Sequence, residues 1–383
     1  MRFDNNTQAF FELVKAGLWV KRNPNIRING AVDWNYIYQL AQEQSVQGLV
    51  LAGLEQYKNL NANLDLNIPK VLLLQWIGEV QIIEKQNKDM NAFIAELIEK
   101  LRKEDIYAIL VKGQGIAQCY EKPLWRSCGD VDLLLSENNY QKAKKILQPL
   151  AISHEEEYAY TRHLGMNLYG WEVELHGNLR GELSNRIDKE LDDIANNIFS
   201  GGIIRSWHND STQVFLPGID DDAIFIFTHI IQHFFKGGIG LRQICDWCRL
   251  LYTYRESLNY GLLEKRIRKA GIMTEWKAFA AFAVDYLGMP GGYMPLYDDS
   301  NKWKQKAVRI FAFVLETGNF GHNRFEKCNN NKAYLIRKIK SLWNSTKDSL
   351  RHFFIFPLDS TIVWWRMFIK GVAIVVKEKW QKS

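Results

Sequence analysis

Leu124-Trp-Arg-Ser-Cys-Gly-Asp130-Val-Asp132-Leu-Leu-Leu-Ser136 is the stretch on which the fold turns. Read as a strand, its short apolar run sends alternate side chains to opposite faces, so Asp130 and Asp132 share one face. Carboxylates held that close repel each other, and the usual compensation is a divalent cation with oxygen ligands. Upstream, Ile106–Val111 reads as another strand and runs into Lys112-Gly-Gln-Gly115, a turn whose glycines permit close backbone approach. Downstream, Trp171-Glu-Val-Glu174-Leu-His176 supplies a third, acidic strand over Glu172–Leu175. Helical stretches are predicted between these strands at Gly115–Tyr120 and Asn138–Leu150.

On either side the pattern is helical. Phe10, Phe11, Leu13, Val14, Leu18 and Trp19 recur at helical spacing, and Asp33 reads as the N-cap of a helix carrying Trp34, Ile37, Leu40 and Ala41. A longer pattern runs from Pro69 to Arg102, with room for a break. Beyond the strands, Asp220-Asp-Asp222 opens an apolar helix through Phe235, since acidic residues suit a helix N-terminus. Further helices are expected at Leu241–Tyr254, Leu262–Lys269, Glu275–Leu287, Trp303–Leu315 and Tyr334–His352, with Tyr286–Asn301 as a linker or long loop. The expected division is a helical region over 1–104, a small α/β domain over 105–218, a helical domain over 219–330 and a basic, aromatic-rich segment over 331–383.

Composition is that of a folded protein, with 47% hydrophobic and 24% charged residues over 383 positions. The net charge of +6 is uneven: Asn331–Ser383 holds eleven Lys/Arg against three Asp/Glu, so the remainder is slightly acidic. Five cysteines at irregular spacing make no disulfide framework and fit a reducing cytoplasm. The most apolar stretch, Phe353–Val376, is interrupted by Pro357, Asp359, Arg366 and Lys370, which argues against a membrane span.

Strand, glycine turn, Asp-x-Asp and a third carboxylate suit transfer of a nucleotide from its triphosphate with Mg²⁺. Two such ions, one at the nucleophile and one at the triphosphate, could be bridged by Asp130 and Asp132. Glu174 would complete the nucleophile-side set and help take the proton, with Glu172 on the same strand face as its competitor. Gly113 and Gly115 would let backbone N–H groups meet the triphosphate, with Gln114 between them and Lys112 and Arg126 as flanking cations.

Leu110-Val-Lys-Gly-Gln-Gly-Ile-Ala117, Pro123-Leu-Trp-Arg126, Gly129-Asp-Val-Asp-Leu-Leu134 and Val173-Glu-Leu-His176 together resemble a poorly characterised bacterial family named for its nucleotidyltransferase fold, within the polymerase-β-like superfamily. Asp33-Trp34, Val46-Gln-Gly-Leu49, His229-x-x-x-His233 and Leu241-Arg with Asp246 extend the resemblance over roughly residues 10–290. It implies an α+β protein, a small mixed-sheet nucleotidyltransferase-fold domain embedded in mainly helical regions. It also implies that Asp130, Asp132 and Glu174 are the metal-binding acids; Glu174 is preferred over Glu172 because Leu-His follows it. One departure is visible: the superfamily's turn carries Gly-Ser or Gly-Gly where this chain has Gly113-Gln114.

Other motifs have plainer readings. His176 shares the acidic strand face and suits a hydrogen bond to a carboxylate. His229 and His233, at i, i+4, have no third ligand in the sequence and read as structural or as lining the cleft. Cys245 and Cys248 read as core cysteines, Lys236–Gly240 as a helix-connecting turn, and Arg242, Asp246 and Arg249 as ion pairs along one helix face. At the C-terminal end, Trp364, Trp365, Phe368, Ile369 and Val372 beside Lys370 and Lys377 read first as a helix packed on the body with solvated cations; among binding roles they favour an anionic membrane surface over nucleic acid. The expected function is a cytoplasmic Mg²⁺-dependent nucleotidyltransferase taking an NTP and a hydroxyl-bearing small molecule, sugar or protein as acceptor. The alternative is a non-catalytic scaffold of the same fold linked to surface-polysaccharide synthesis.

Overall fold

Alternation along the central strands decides the architecture. The computed structural model describes residues 4–20, 28, 30–60, 66–319 and 346–380. Its strands are β1 (Ala108–Val111), β2 (Asp130–Leu135), β3 (Ser153–His154), β4 (His163–Leu168), β5 (Trp171–His176), β6 (Ile204–Asn209) and β7 (Thr212–Pro217). They form one mixed sheet in the order β3-β4-β5-β2-β1-β7-β6. β2 pairs antiparallel with β1 and parallel with β5, and β1 pairs parallel with β7. The three predicted strands are all present; the β4, β3 and β6–β7 strands were not foreseen.

Each face of this sheet has its own core. Leu110, Val131, Leu133, Leu135, Val173 and Leu175 point one way. They pack under Met90, Ile94, Leu97 and Leu101 of α4 (Lys70–Arg102) and Tyr140, Ala143 and Leu147 of α6 (Glu137–Leu147). The opposite face carries Ile109, Val111 and Leu134, which join a larger core built from helices on both sides of the sheet in sequence. Along β2 and β5 that second face is otherwise polar: Asp130, Asp132, Glu172, Glu174 and His176. A sheet covered on one side and left partly polar on the other gives a buried platform for charged groups.

The N-terminal helices are α1 (Asn5–Leu18), α2 (Trp34–Glu43), α3 (Gln47–Leu60) and α4. Asp33 caps α2 as expected, accepting from the N–H groups of Asn35 and Tyr36 at 2.9 and 3.2 Å. α4 is a single helix of 33 residues, so the long pattern contains no break. α3 has two glycines, Gly48 and Gly53, which lower its intrinsic propensity. Tertiary packing accounts for them: a Cβ on Gly48 would lie 2.1 Å from Trp125 O and one on Gly53 2.0 Å from Leu13 O, while one on Gly17 of α1 would lie 2.0 Å from Leu49 O. α1 and α3 therefore touch backbone to backbone.

After β1 comes the short α5 (Gly113–Ala117), and α7 (Asn185–Phe199) precedes β6. The later helices are α8 (Ile219–Lys236), α9 (Leu241–Thr253), α10 (Tyr260–Ala270), α11 (Met273–Leu287) and α12 (Asn301–Thr317), close to prediction. Between α11 and α12 the chain is a long loop and not a detached linker: Met289 and Met294 are buried, and Trp276 Nε1 donates to Pro295 O at 2.8 Å. Residues 346–353 are helical, and a C-terminal helix spans Pro357–Trp380. Pro357 opens that helix, where a missing N–H is harmless, and Phe356 and Val363 reach the main core. The part of the Tyr334–His352 prediction before residue 346 lies outside the described residues, as do the side chains of Lys370, Val372 and Lys377. Among the described residues no helix is long and apolar enough to cross a membrane.

Candidate active site

The parallel pairing of β2 with β5 puts Asp130 beside Glu172 and Asp132 beside Glu174. Carboxylate oxygens of Asp130, Asp132 and Glu174 lie within 4.8 Å of one another. Glu172 leaves this group, since its carboxylate accepts from Asn167 Nδ2 at 2.7 Å on the exposed β4 side. The bond to Asn167 thus separates the two competing acids that share a strand face in the sequence.

Lys112 ends β1 with φ 57° and ψ −144°, a positive φ that costs a non-glycine residue of order 1–3 kcal/mol. The turn delivers its ammonium to Asp132 Oδ1 at 2.7 Å. Burial alone would lower the Lys112 pKa, but Asp132, Glu174 and Asp130 outweigh it and hold the charge firmly. The repulsion of Asp132, then burial, raises the Asp130 carboxyl above the ordinary carboxylate range. Glu174 goes the other way. Its burial is overcome by hydrogen bonds from His163 and His176, which lower its pKa strongly. His176 Nε2 lies 2.8 Å from Asp132 Oδ1 and 3.4 Å from Glu174 Oε2, and His163 Nε2 lies 3.0 Å from the same Glu174 oxygen.

Gln114 does not line the cleft of Lys112 and the aspartates. Its side chain is buried, donating to Asn87 Oδ1 at 2.8 Å, while Asn87 Nδ2 donates to the carbonyls of Leu124 and Arg126. It acts as a strut between the glycine turn, α4 and the Arg126 loop. Gly115 allows the strand β7 to close over the turn, for a Cβ there would lie 2.8 Å from Leu216 Cδ2.

Arg126 borders the cleft, yet its fork is occupied: Nε and Nη2 donate to the two Asp246 oxygens at 2.8 and 2.7 Å. Tyr120 Oη donates to the same carboxylate at 2.8 Å. The expected helix-face pairing of Arg242, Asp246 and Arg249 is therefore corrected. Asp246 crosses to Arg126, and Arg249 donates to the carbonyls of Cys119 and Leu18. Arg242 gives Nη1 to Ser127 O at 2.8 Å, while its buried Nε has no hydrogen-bond partner. Burial, then the neighbouring Arg126, lowers its pKa.

Lys112, Gly113, Asp130, Asp132, His229 and Arg242 line one cleft that opens to solvent. His229 stands on the helical wall, and His233 lies one turn on, Nε2 to Nε2 at 3.0 Å. Burial, then Lys112, pushes both below the ordinary histidine range, His233 to about 4. Cys245 and Cys248 are fully buried in the core. His163 and Arg242 are the site residues that sequence reading did not place there. The only sequence signal for His163 was the alternation of Leu164, Met166 and Leu168 beside it.

A protein-family model described as an uncharacterised nucleotidyltransferase matches residues 30–288. The chain belongs to that nucleotidyltransferase family. No curated protein and no solved structure matches it.

Proposed function

We propose that this protein transfers a nucleoside monophosphate from an NTP to a hydroxyl-bearing acceptor, using Mg²⁺. The convergence of Asp130, Asp132 and Glu174 under Lys112 and Arg242 carries the reading. Hard divalent cations fit this donor set: three carboxylates meet at one point, and the raised pKa of Asp130 records a repulsion that such a cation relieves. Bound by Asp130, Asp132 and Glu174, the cations would neutralise triphosphate oxygens and acidify the acceptor hydroxyl.

The remaining chemistry belongs to the chain. Lys112 and Arg242 meet the phosphates, Arg242 through the Nε that lacks a protein partner. The acceptor oxygen bonds to the α-phosphorus, and the α–β bridging oxygen departs with pyrophosphate. The acceptor's proton leaves to water in the cleft, since the three carboxylates are committed to the cations. Arg126, held by Asp246, positions the wall and does not bind substrate. Calorimetric titration with the four NTPs, with and without Mg²⁺, tests this. One NTP should bind only with Mg²⁺, and Asp132→Asn should abolish that binding. Equal affinity in the variant, or no NTP binding by the wild type, would defeat the proposal in favour of a scaffold.

The C-terminal helix supports an attachment to an anionic membrane surface. Leu358, Ile362, Trp365 and Ile369 recur along one face and are exposed. The segment around them carries the chain's basic excess. Sedimentation with anionic vesicles, weakened by Ile362→Ser with Trp365→Ser, is the expected outcome. A chain that stays in the supernatant with anionic and neutral vesicles alike would remove the idea.

A further inference from the structure

We infer that His163, Glu174 and His176 form a binding site for a borderline transition-metal dication of the Zn²⁺ or Co²⁺ type, beside the carboxylate group and chemically distinct from it. The three ligand atoms lie within 4.8 Å of one another. They come from one rigid hairpin: β4 and β5 pair antiparallel, with His163 opposite His176 and Gly165 opposite Glu174. Glu174 has a residue without a side chain as its neighbour on β4, so the imidazoles at the next pair reach its Oε2 from one side.

The spacing already suits a metal. Tetrahedral ligands at about 2.1 Å from an ion stand roughly 3.4 Å apart. Here the Glu174 oxygen lies 3.0 Å from His163 Nε2 and 3.4 Å from His176 Nε2. Each ring aims a nitrogen at a carboxylate oxygen, the arrangement an ion between them would exploit by replacing bridging protons. Side-chain exposures of 28% for His163, 31% for Glu174 and 13% for His176 leave an entry path and an open coordination position. Donor chemistry selects the ion. Two imidazoles with one carboxylate favour borderline first-row metals, whereas Mg²⁺ requires oxygen. Lys112 does not compete, because its ammonium is engaged at Asp132 Oδ1.

The site shares Glu174 with the proposed nucleotide site but does not rest on nucleotidyl transfer. The untagged full chain, stripped with a chelator, is titrated with Co²⁺ and followed by its visible d–d absorption. Wild type should develop the intense bands of a low-coordinate site, quenched by Zn²⁺. Asp130→Asn should keep those bands. His163→Ala and His163→Gln, both checked for an unchanged melting curve, should bind at least ten- to a hundred-fold more weakly. A wild type that shows only the pale spectrum of the aqueous ion, or bands identical in the His163 variants, would overturn the inference. Bands in a wild type that binds no NTP would uphold the metal site while refuting the proposed transfer.

Discussion

Replacing Asp246 with Asn should be among the most destabilising single changes available in this protein. Arg126 and Asp246 are nearly dry, with side-chain exposures of 6% and 8%. Two charge-assisted hydrogen bonds and a third from Tyr120 converge on the one carboxylate. Asparagine keeps the shape but removes the charge, leaving the Arg126 guanidinium buried next to Arg242, whose own pKa burial and Arg126 already lower. Breaking a buried pair from one side costs about 3–5 kcal/mol. A chain of 383 residues has an unfolding entropy of roughly 0.8 kcal/mol/K, so the melting temperature should fall by roughly 4–6 °C. Urea unfolding of Arg126→Met, Asp246→Leu and the charge-free pair of the two closes a double-mutant cycle, with Asp246→Asn measured beside it. The pair should recover most of the loss, because removing both charges removes the desolvation penalty. A cost below about 1 kcal/mol for Asp246→Asn, or a double variant no better than the single one, would refute the reasoning.

Two further outcomes are expected. Gly53→Ala should destabilise by about 1–3 kcal/mol, because its Cβ would meet Leu13 O at 2.0 Å and α1 must move away. Helix propensity alone predicts a gain of about 1 kcal/mol, so the sign of the change in denaturation midpoint separates the two effects. The depressed pKa of the buried His229–His233 pair makes stability depend on acid. Above the unfolded value of about 6.5 both states are neutral and the stability is fully present. As pH falls towards about 4 the unfolded chain takes up protons that His233 in the fold refuses, and up to about 3 kcal/mol is lost. Denaturation midpoints at a series of pH values should show a shallower decline for His233→Gln; identical profiles would count against this account.

Much of the site was legible because strand alternation is a local property. Asp130 and Asp132 share a face whatever surrounds them, and the acidic strand around Glu174 follows the same period. Helices with strong periodicity or a cap, such as α2 under Asp33 and α8 behind its three aspartates, were readable for the same reason. α3 was hidden by glycines whose benefit lies in tertiary contacts, Gly53 against α1 and Gly48 against Trp125. The β6–β7 hairpin was marked only by its two-residue turn, Asp210 and Ser211, between Asn209 and Thr212.

By itself, then, the sequence determined which carboxylates face together, where the lysine–glycine turn sits, and that a small sheet lies among helices. Tertiary structure alone decided the partners. The bond to Asn167 separated Glu172 from Glu174, and cross-strand register brought His163 to the acids. Helix packing took Arg126 into a pair with Asp246 and turned Arg242 towards the cleft in its place. Such choices depend on contacts beyond any local window, 44 positions for His176 with Asp132 and 120 for Arg126 with Asp246. No local period encodes them, and burial makes each one energetically costly to change.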